Sequence, residues 1–515
     1  MLFFIGNFML SPSYLDSLPD SFVKLFQEVE EQILQDVARR IGKMDAVTPT
    51  ANWQLWRYQQ TEAVRQEVVK LLARYSGKSE AAIRSLLQQA ATRALETEDA
   101  IYYHYGMEPT PFEESAPLQN LLNAGYRQTA GSFSNLTATT ANTVSGAFEQ
   151  ALDRAWLQVS SGAFDYKTAV KRAVDGLADS MPYVTYPSGH RDTLEVACRR
   201  AVLTGVNQTG AKLQEARMDE MGASFVEVTA HGGARPSHAV WQGRRYHRGG
   251  AVDYLGQHYG DFESATGYGT GAGLCGWNCR HTFFVVFPEL GSPPAWTQES
   301  LEALNARDIE YDGRLYTRYE ISQMQRARER AVRKWKRRYL AEDAAGADTT
   351  ASAMKLRQAR QSLADFTRAT GGRVDSARTS VHGFGRSEGS KTSYAARKQE
   401  RFNAANTELQ QMREAGTIKA KGRLIESPSA PNEINFASDH VLQRWAERGM
   451  GPMDAERIIR SSKVAMSQRN GTQTCYYSEL GFVAIGQDGN VSSIGPLDEG
   501  GKKLMEVVKK HGIPH

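Results

Sequence analysis

Helical periodicity dominates the sequence from Ser21 to about Arg217. Apolar residues recur there at steps of three and four, which is typical of amphipathic helices. The first such series is Phe22, Leu25, Phe26, Val29, Ile33, Val37 and Ile41. We predict helices over about 53–75, 79–105, 115–128, 135–160, 166–180 and 190–220, with helix ends at Gly42 and Gly77. The pattern predicts a helical domain, which we place at residues 1–189.

The stretch from Thr229 to His281 is dense in Gly, His, Cys and Trp. Glycine permits positive φ and close backbone approach, so this stretch predicts a fixed platform of loops rather than a helix or a strand. The apolar run Phe283–Phe287, closed by Pro288, predicts a buried strand. We expect it to pair with a strand over 225–228, so that the platform lies between two paired strands in a module at 190–290.

Two motifs in this stretch carry a resemblance to a known family. The first is His231-x3-Arg235-Pro236-Ser237-His238-x2-Trp241-Gln242-Gly243. The second is Thr266-Gly267-Tyr268-Gly269, followed by Cys275-Gly276-Trp277-Asn278-Cys279-Arg280-His281. The sequence resembles the phage minor capsid proteins of the second type, which are related to the Mu F-like head morphogenesis proteins.

The resemblance covers about residues 9–370 and implies a structural minor capsid protein of a tailed bacteriophage. Such a protein would be made in the host bacterial cytoplasm and located in the phage head, at or near the portal vertex. It would act in head morphogenesis and in DNA packaging or ejection, with portal and capsid proteins as partners. The fold class we expect is a mainly α N-terminal region, a small α+β loop-rich Mu F-like module, a basic helical linker and a small α+β C-terminal domain.

The platform contains residues of the types that bind zinc. Cys275, Cys279 and His281 lie within seven residues of one another. His238 or His231 would complete a tetrahedral site, although the spacing departs from the common zinc motifs. A structural zinc is the one cofactor that the sequence suggests.

The alternative is a metal-free platform that its own hydrogen bonds hold together. Arg235 and Arg280 would then bond carbonyl groups, while Trp241 and Trp277 would fill the core. The cysteines would pack as small apolar side chains. A catalytic Cys/His pair is disfavoured, because the resemblance is to a morphogenesis protein. The platform residues in either case are His231, Arg235, His238, Trp241, Trp277 and Arg280.

The segment from Tyr316 to Leu340 predicts a long helix rich in Arg and Lys. Charges this dense repel one another unless they lie against phosphates or acidic side chains, although a solvated helix face is the simpler alternative. The residues that would contact packaged DNA or an acidic partner are Arg326, Arg330, Arg333, Lys334, Lys336, Arg337 and Arg338. The net charge of +4 is small and does not by itself indicate nucleic acid. A second helix over about 351–369 and a linker over 370–393 belong to the same basic helical region, 291–425.

Residues 426–515 predict a separate α+β domain. We expect helices at 440–448, 452–461 and about 498–510, with strands at 473–478, 482–487 and 490–494. This order resembles the barnase, EndoU, colicin and RelE-like ribonuclease fold, whose domains are often fused to the C-terminal side of Mu F-like proteins.

That second resemblance implies an alternative function, a phage-carried effector with a metal-independent ribonuclease domain that acts on RNA. By type and position His440 would be the base, with Arg444 and Arg448 one and two turns further along the same helix. Tyr476, or alternatively Tyr477 or Ser493, would complete the set. The competing interpretation is a small packing or receptor domain. We expect no enzymatic activity in residues 1–425.

The apolar start of the chain, MLFFIGNFML, is too short to span a bilayer, so we predict no membrane partner. Four cysteines in 515 residues do not form a disulfide framework. We expect Cys198 and Cys475 to be buried.

Overall fold

The computed structural model describes residues 10–44, 50–181, 183–186, 189–428, 434–436, 443, 445 and 447–514. The apolar start of the chain therefore lies almost entirely outside the described residues. The chain forms two compact units, Met1–Arg386 and Ser387–His515. Among the described residues the N-terminal region is mainly α, as predicted, and small sheets lie further along the chain. The division into four domains stays a prediction.

Long helices open the first unit: α1 (Pro12–Ser17), α2 (Asp20–Gly42), α3 (Thr50–His104), α4 (Ala116–Ser160), α5 (Tyr166–Ser180) and α6 (Leu194–Met221), with β1 (Val184–Thr185) and β2 (Arg191–Asp192) before α6. The predicted end at Gly42 is confirmed, but the one at Gly77 is wrong, because α3 continues through it. Glycine inside a helix costs about 1 kcal/mol relative to alanine. Burial of apolar side chains on both sides of Gly77 offsets that cost; they include Val64, Val68, Leu72, Ile83 and Leu87.

A five-stranded sheet follows, in the order β5-β6-β4-β3-β7. Its strands are β3 (Phe225–Val228), β4 (Arg245–His247), β5 (Val252–Tyr254), β6 (Gln257–Asp261) and β7 (Phe283–Val285), with the short helices α7 (Pro236–Ala239) and α8 (Phe262–Thr266) between them. The predicted pairing is confirmed, since Val228 lies opposite Phe283 in an antiparallel ladder. Tyr102 of α3 and Met218 of α6 share the core of this sheet, which therefore packs on the helices.

The first unit ends with α9 (Gln298–Asn305), the hairpin β8 (Arg307–Tyr311) and β9 (Arg314–Thr317), and the helices α10 (Arg318–Ala344), α11 (Thr350–Ala369) and α12 (Ser376–Thr379). The segment predicted to be a linker without periodicity, 370–393, does contain the boundary between the two units. However, its first part packs on α10, and its last part begins a helix at Arg386. Val381 is buried against Tyr339 and Leu340 of α10. Asp375 accepts hydrogen bonds from the first main-chain N–H groups of α12 and caps it.

The second unit consists of α13 (Arg386–Glu414), β10 (Arg423–Glu426), α14 (Pro452–Ser461), β11 (Val464–Gln468), β12 (Gln473–Ser478), β13 (Gly481–Gly486), β14 (Val491–Gly495) and α15 (Glu499–Lys510). The strands form one antiparallel meander in chain order. The sequence predicted β12 to β14 but missed β10 and β11. Both faces of β11 are buried, so it lacks the apolar-polar alternation that would reveal a strand.

Two helices of the first unit, α4 and α6, approach closely through a reciprocal pair of contacts. A Cβ built on Gly125 would lie 2.2 Å from Oγ1 of Thr209, and one on Gly205 would lie 2.4 Å from Oγ1 of Thr129. Both threonines are buried, and each hydroxyl donates to the carbonyl of the glycine one turn earlier on its own helix. Each threonine therefore has little freedom to move.

We expect Gly125→Ala to lower the free energy of unfolding by about 1–3 kcal/mol, because overpacking forces the two helices apart. The control is Gly131→Ala on the same helix, where a Cβ would have no neighbour within 4 Å. That variant should gain up to about 1 kcal/mol from helix propensity. Denaturant unfolding of the two variants measures both effects, and equal stabilities would contradict the close-contact explanation.

Candidate metal centre

The loop platform places three of its polar side chains on two different elements. His238 lies on α7, which begins at Pro236, whereas Cys279 and His281 lie in the irregular segment before β7. Within that segment Cys275 adopts a left-handed conformation with a φ of +57°. Asn278, with a φ of +53°, does the same. These residues turn the chain tightly, so Cys279 and His281 face α7.

Three buried side chains, His238, Cys279 and His281, meet in the platform. The Nδ1 atoms of the two histidines are 3.4 Å apart. Sγ of Cys279 lies 3.7 Å from each of them. The structure thus brings together three of the four predicted metal ligands. The fourth, Cys275, is buried with its Sγ 3.6 Å from the carbonyl oxygen of His281, outside this triangle.

The outer nitrogen of each histidine faces an oxygen. Nε2 of His238 lies 3.0 Å from the carbonyl of Ala272, and Nε2 of His281 lies 3.0 Å from Oε1 of Gln242. The main-chain N–H of His231 also donates to that Oε1, at 3.0 Å. The hydrogen-bond network therefore assigns the proton of each neutral imidazole to Nε2, and both Nδ1 atoms direct lone pairs into the triangle.

Burial sets the charge state of the triangle. It lowers the pKa of His238 to about 4 and that of His281 to about 2, and positive charge nearby, including that of Arg280, acts in the same direction on His281. Burial also raises the pKa of the Cys279 thiol. The ring of His231 lies against His281, with centroids 4.4 Å apart. Because their pKa values are lowered, His238 and His281 are neutral at physiological pH. Neutral imidazole is the form that binds metal ions.

Helix α6 anchors the segment that carries these ligands. Nδ2 of Asn207 donates to the carbonyl of Cys279 at 2.7 Å, and Nε2 of Gln214 donates to that of Phe283 at 2.8 Å. Both amides are buried. None of Asn207, Gln214 and Gln242 was predicted to have this role. For Asn207 and Gln214 the available signal was an uncharged amide at a position where a helix buries its apolar face.

The two tryptophans of the platform differ. Trp241 is buried as predicted, but Trp277 is 58% exposed, so the prediction that it fills the core is wrong. Its ring lies instead over Gly271, where a Cβ would come within 2.6 Å. Arg235 donates a hydrogen bond to the carbonyl of Trp277 at 2.9 Å. The metal-free interpretation predicted a carbonyl partner for this arginine.

The most basic part of helix α10 faces the other helices of the first unit. Nη1 of Arg337 lies 3.3 Å from Oε2 of Glu30, and its Nε lies 2.8 Å from Oε1 of Glu31. Arg333 forms an ion pair with Glu195 of α6. These carboxylates are buried or largely so, and they supply the compensation that the sequence of α10 lacks.

Three more of the predicted cations of α10, Lys334, Lys336 and Arg338, also have partners within the first unit. Arg338 pairs with Asp175 and Asp179 of α5, and Lys334 pairs with Asp179 at 3.1 Å. Lys336 donates to the carbonyl of Thr379, and burial lowers its pKa to about 8. The acidic groups that Arg333, Arg337 and Arg338 contact thus belong to the first unit itself, so these three are not solvated as the simpler alternative expected. A nucleic-acid contact stays a prediction for Arg326, which is half-buried, and for Arg330 and Lys334, which are exposed.

The predicted ribonuclease residues divide into two groups. His440 and Arg444 lie outside the described residues. Arg448 donates from Nη1 to the carbonyl of Ile494 at 2.7 Å. Tyr476 is 2% exposed and packs in the core with Trp445. Arg448 thus contacts β14 and Tyr476 is a core residue, while a catalytic role for any of the four stays a prediction.

A family model described as phage minor capsid protein 2 matches residues 10–368. The chain belongs to this family. The match includes the whole platform, and it confirms the resemblance and a structural role in the capsid of a virion. Comparisons with curated proteins and with solved structures found no match. Among the residues that the structure describes, no helix of this minor capsid protein is both long and apolar enough to cross a membrane.

Proposed function

We propose that this minor capsid protein is built into the head at the portal vertex during head morphogenesis, in contact with portal and capsid proteins. The supporting observation is that the family match, residues 10–368, falls within the first compact unit, which ends at Arg386. The whole segment that matches the minor capsid family thus belongs to one folded body. Its helices and its sheet share apolar cores, so it can act as a single rigid component.

The ion pairs of α10 argue against direct binding of DNA by most of this helix. Arg337, the most buried of its cations, is committed to Glu30 and Glu31. The role of this protein in DNA packaging or ejection would then be indirect, through its contacts with portal and capsid proteins. Any direct contact with DNA would rest on the few cations of α10 that remain exposed.

The portal location can be tested on virions by immunogold electron microscopy, with an epitope tag added after His515. We expect gold at a single vertex, the one to which the tail attaches. Gold distributed over the whole capsid would contradict the portal location and leave the capsid role intact.

The second unit is expected to be dispensable for incorporation. Its two apolar cores are formed by its own elements, and the family match ends before it begins. Virions that carry a chain ending at Arg386 should therefore contain as many copies of it as wild-type virions contain of the full chain. Quantitative mass spectrometry of purified particles measures this number.

The matched control for this deletion is a full-length chain with a damaged first unit, for which Arg337→Met is suitable, and its incorporation should fall. If the truncated chain has the same unfolding temperature as the full chain and is still missing from particles, the second unit takes part in assembly and is not dispensable for incorporation.

A further inference from the structure

We propose that the platform holds one zinc ion, bound by Nδ1 of His238, Sγ of Cys279 and Nδ1 of His281, with Sγ of Cys275 as the fourth ligand. The ion would be structural, joining α7 to the segment that leads into β7. This inference does not depend on where the protein sits in the head.

The distances in the triangle are those that a tetrahedral zinc ion imposes. With zinc–nitrogen bonds of about 2.05 Å and zinc–sulfur bonds of about 2.3 Å, two ligand nitrogens lie about 3.3 Å apart, and a nitrogen and a sulfur lie about 3.6 Å apart. The separations observed are 3.4 Å between the nitrogens of His238 and His281, and 3.7 Å from each to the sulfur of Cys279. Ordinary packing of imidazoles does not require all three separations at once.

A chain of hydrogen bonds with main-chain groups at both ends fixes the tautomer of His281. Nδ2 of Asn305 donates to the carbonyl of Leu301, so its Oδ1 accepts from Nε2 of Gln242. Oε1 of Gln242 then accepts from the main-chain N–H of His231. The same Oε1 faces Nε2 of His281, which must therefore carry the proton.

Two lone pairs consequently face each other across 3.4 Å. His238 has the same tautomer as His281, because its Nε2 faces the carbonyl of Ala272. Two acceptors at this distance repel each other unless a proton or a cation lies between them. The thiol of Cys279 has one proton to donate and can satisfy only one of the two nitrogens. A metal ion satisfies both nitrogens and the sulfur together. The outer hydrogen bonds are those that metal-bound histidines ordinarily make.

Cys275 is the remaining soft donor of the platform. It is buried, and its Sγ lies 3.6 Å from the same His281 carbonyl oxygen that Sγ of Cys279 approaches at 3.8 Å. To be the fourth ligand, its sulfur would have to move toward the triangle by rotation about its Cα–Cβ bond. Structural zinc sites use four protein ligands, and two imidazoles with two thiolates are a common set. Thiolates and imidazoles favour zinc over magnesium or calcium.

The first test uses the full-length protein, stripped with a chelator and titrated with Zn²⁺ or Co²⁺. We expect one zinc per chain, a rise in the unfolding temperature on adding zinc, and a cobalt spectrum with tetrahedral ligand-field and thiolate charge-transfer bands. A folded protein that binds less than about a tenth of an equivalent of zinc, or that gives no tetrahedral cobalt spectrum, would overturn the proposal.

Variants assign the ligands. Gln242→Ala, which removes an outer hydrogen bond, should weaken zinc binding by about 10–100-fold, and Cys279→Ser should weaken it more. Cys475→Ala, at a buried thiol of the second unit, is the matched control and should bind zinc normally. Cys275→Ser should halve the thiolate-to-cobalt charge-transfer intensity; an unchanged intensity would remove Cys275 from the ligand set.

Discussion

Replacing Arg337 by methionine should lower the free energy of unfolding of the first unit by about 3–5 kcal/mol, the usual cost of removing one partner from a buried ion pair. Arg337 extends from α10 to Glu30 and Glu31 of α2, and both carboxylates are fully buried. Its Nη2 also donates to the hydroxyl of Tyr183, at 2.9 Å. Methionine fills a similar volume but leaves both carboxylates without their cation.

Those carboxylates determine how the loss of stability in Arg337→Met depends on pH. Burial raises the pKa of Glu30 and raises that of Glu31 to about 7, while the charge of Arg337 acts against burial in both. Without Arg337 each carboxylate must take up a proton or remain charged in an apolar environment. The loss should therefore be smaller at pH 5 than at pH 8. Glu31→Gln in the Arg337→Met background should recover part of the stability.

The measurement is denaturant unfolding of the full chain, with Arg368→Met as the control. Arg368 has 75% of its side chain exposed and pairs with Asp365 of its own helix. Exposed pairs of this kind contribute less than about 1 kcal/mol. Similar losses in the two variants would show that the cluster beneath α10 contributes no more than a surface pair.

The basic helix shows how far local sequence can mislead. Its cations are adjacent in the sequence, whereas Glu30, Glu195 and Asp175 lie more than a hundred residues earlier in the chain. A charge count along α10 therefore shows repulsion where the fold has compensation. The length and position of the helix were predictable because they depend on local periodicity.

The same distinction applies to the platform. Residue types pointed to His238, Cys279 and His281, and the structure brings these three together. The role of Gln242 could not be predicted, because an amide in a loop becomes informative only when its hydrogen-bond partners are known. Trp277 was misjudged for a related reason: a large apolar residue indicates burial on average, but a ring can also cover a glycine at the surface.

Replacing Glu98 by glutamine should flatten the dependence of stability on pH. Glu98 lies on α3 and is fully buried. Its Oε1 accepts from the main-chain N–H of Val285 on β7, at 3.2 Å, and its Oε2 accepts from Nε2 of Gln214 on α6, at 3.4 Å. One carboxyl group thus joins the helices to the sheet that carries the platform. Burial raises its pKa from 4.5 to about 8.

The sign of the effect follows from linkage. Between about pH 4.5 and 8 the folded state keeps a proton on Glu98 that the unfolded state releases. The associated stability is fully present below pH 4.5 and is lost as the pH rises through about 8, with a slope of up to about 1.4 kcal/mol per pH unit. Glutamine has the shape of the protonated acid and does not titrate, so this component disappears in the variant.

Thermal unfolding from pH 5 to 9 tests this, with Glu96→Gln as the control at an exposed position of the same helix. Other acids, such as the buried Glu31 and the half-buried Asp99, also have raised pKa values, so the stability of the wild type should fall with pH for more than one reason. The informative quantity is therefore the difference between wild type and Glu98→Gln, which should shift in favour of the variant as the pH rises. A difference that stays constant from pH 5 to 9 would mean that Glu98 is ionised in the folded protein throughout this range, and that its two hydrogen bonds and nearby charge outweigh its burial.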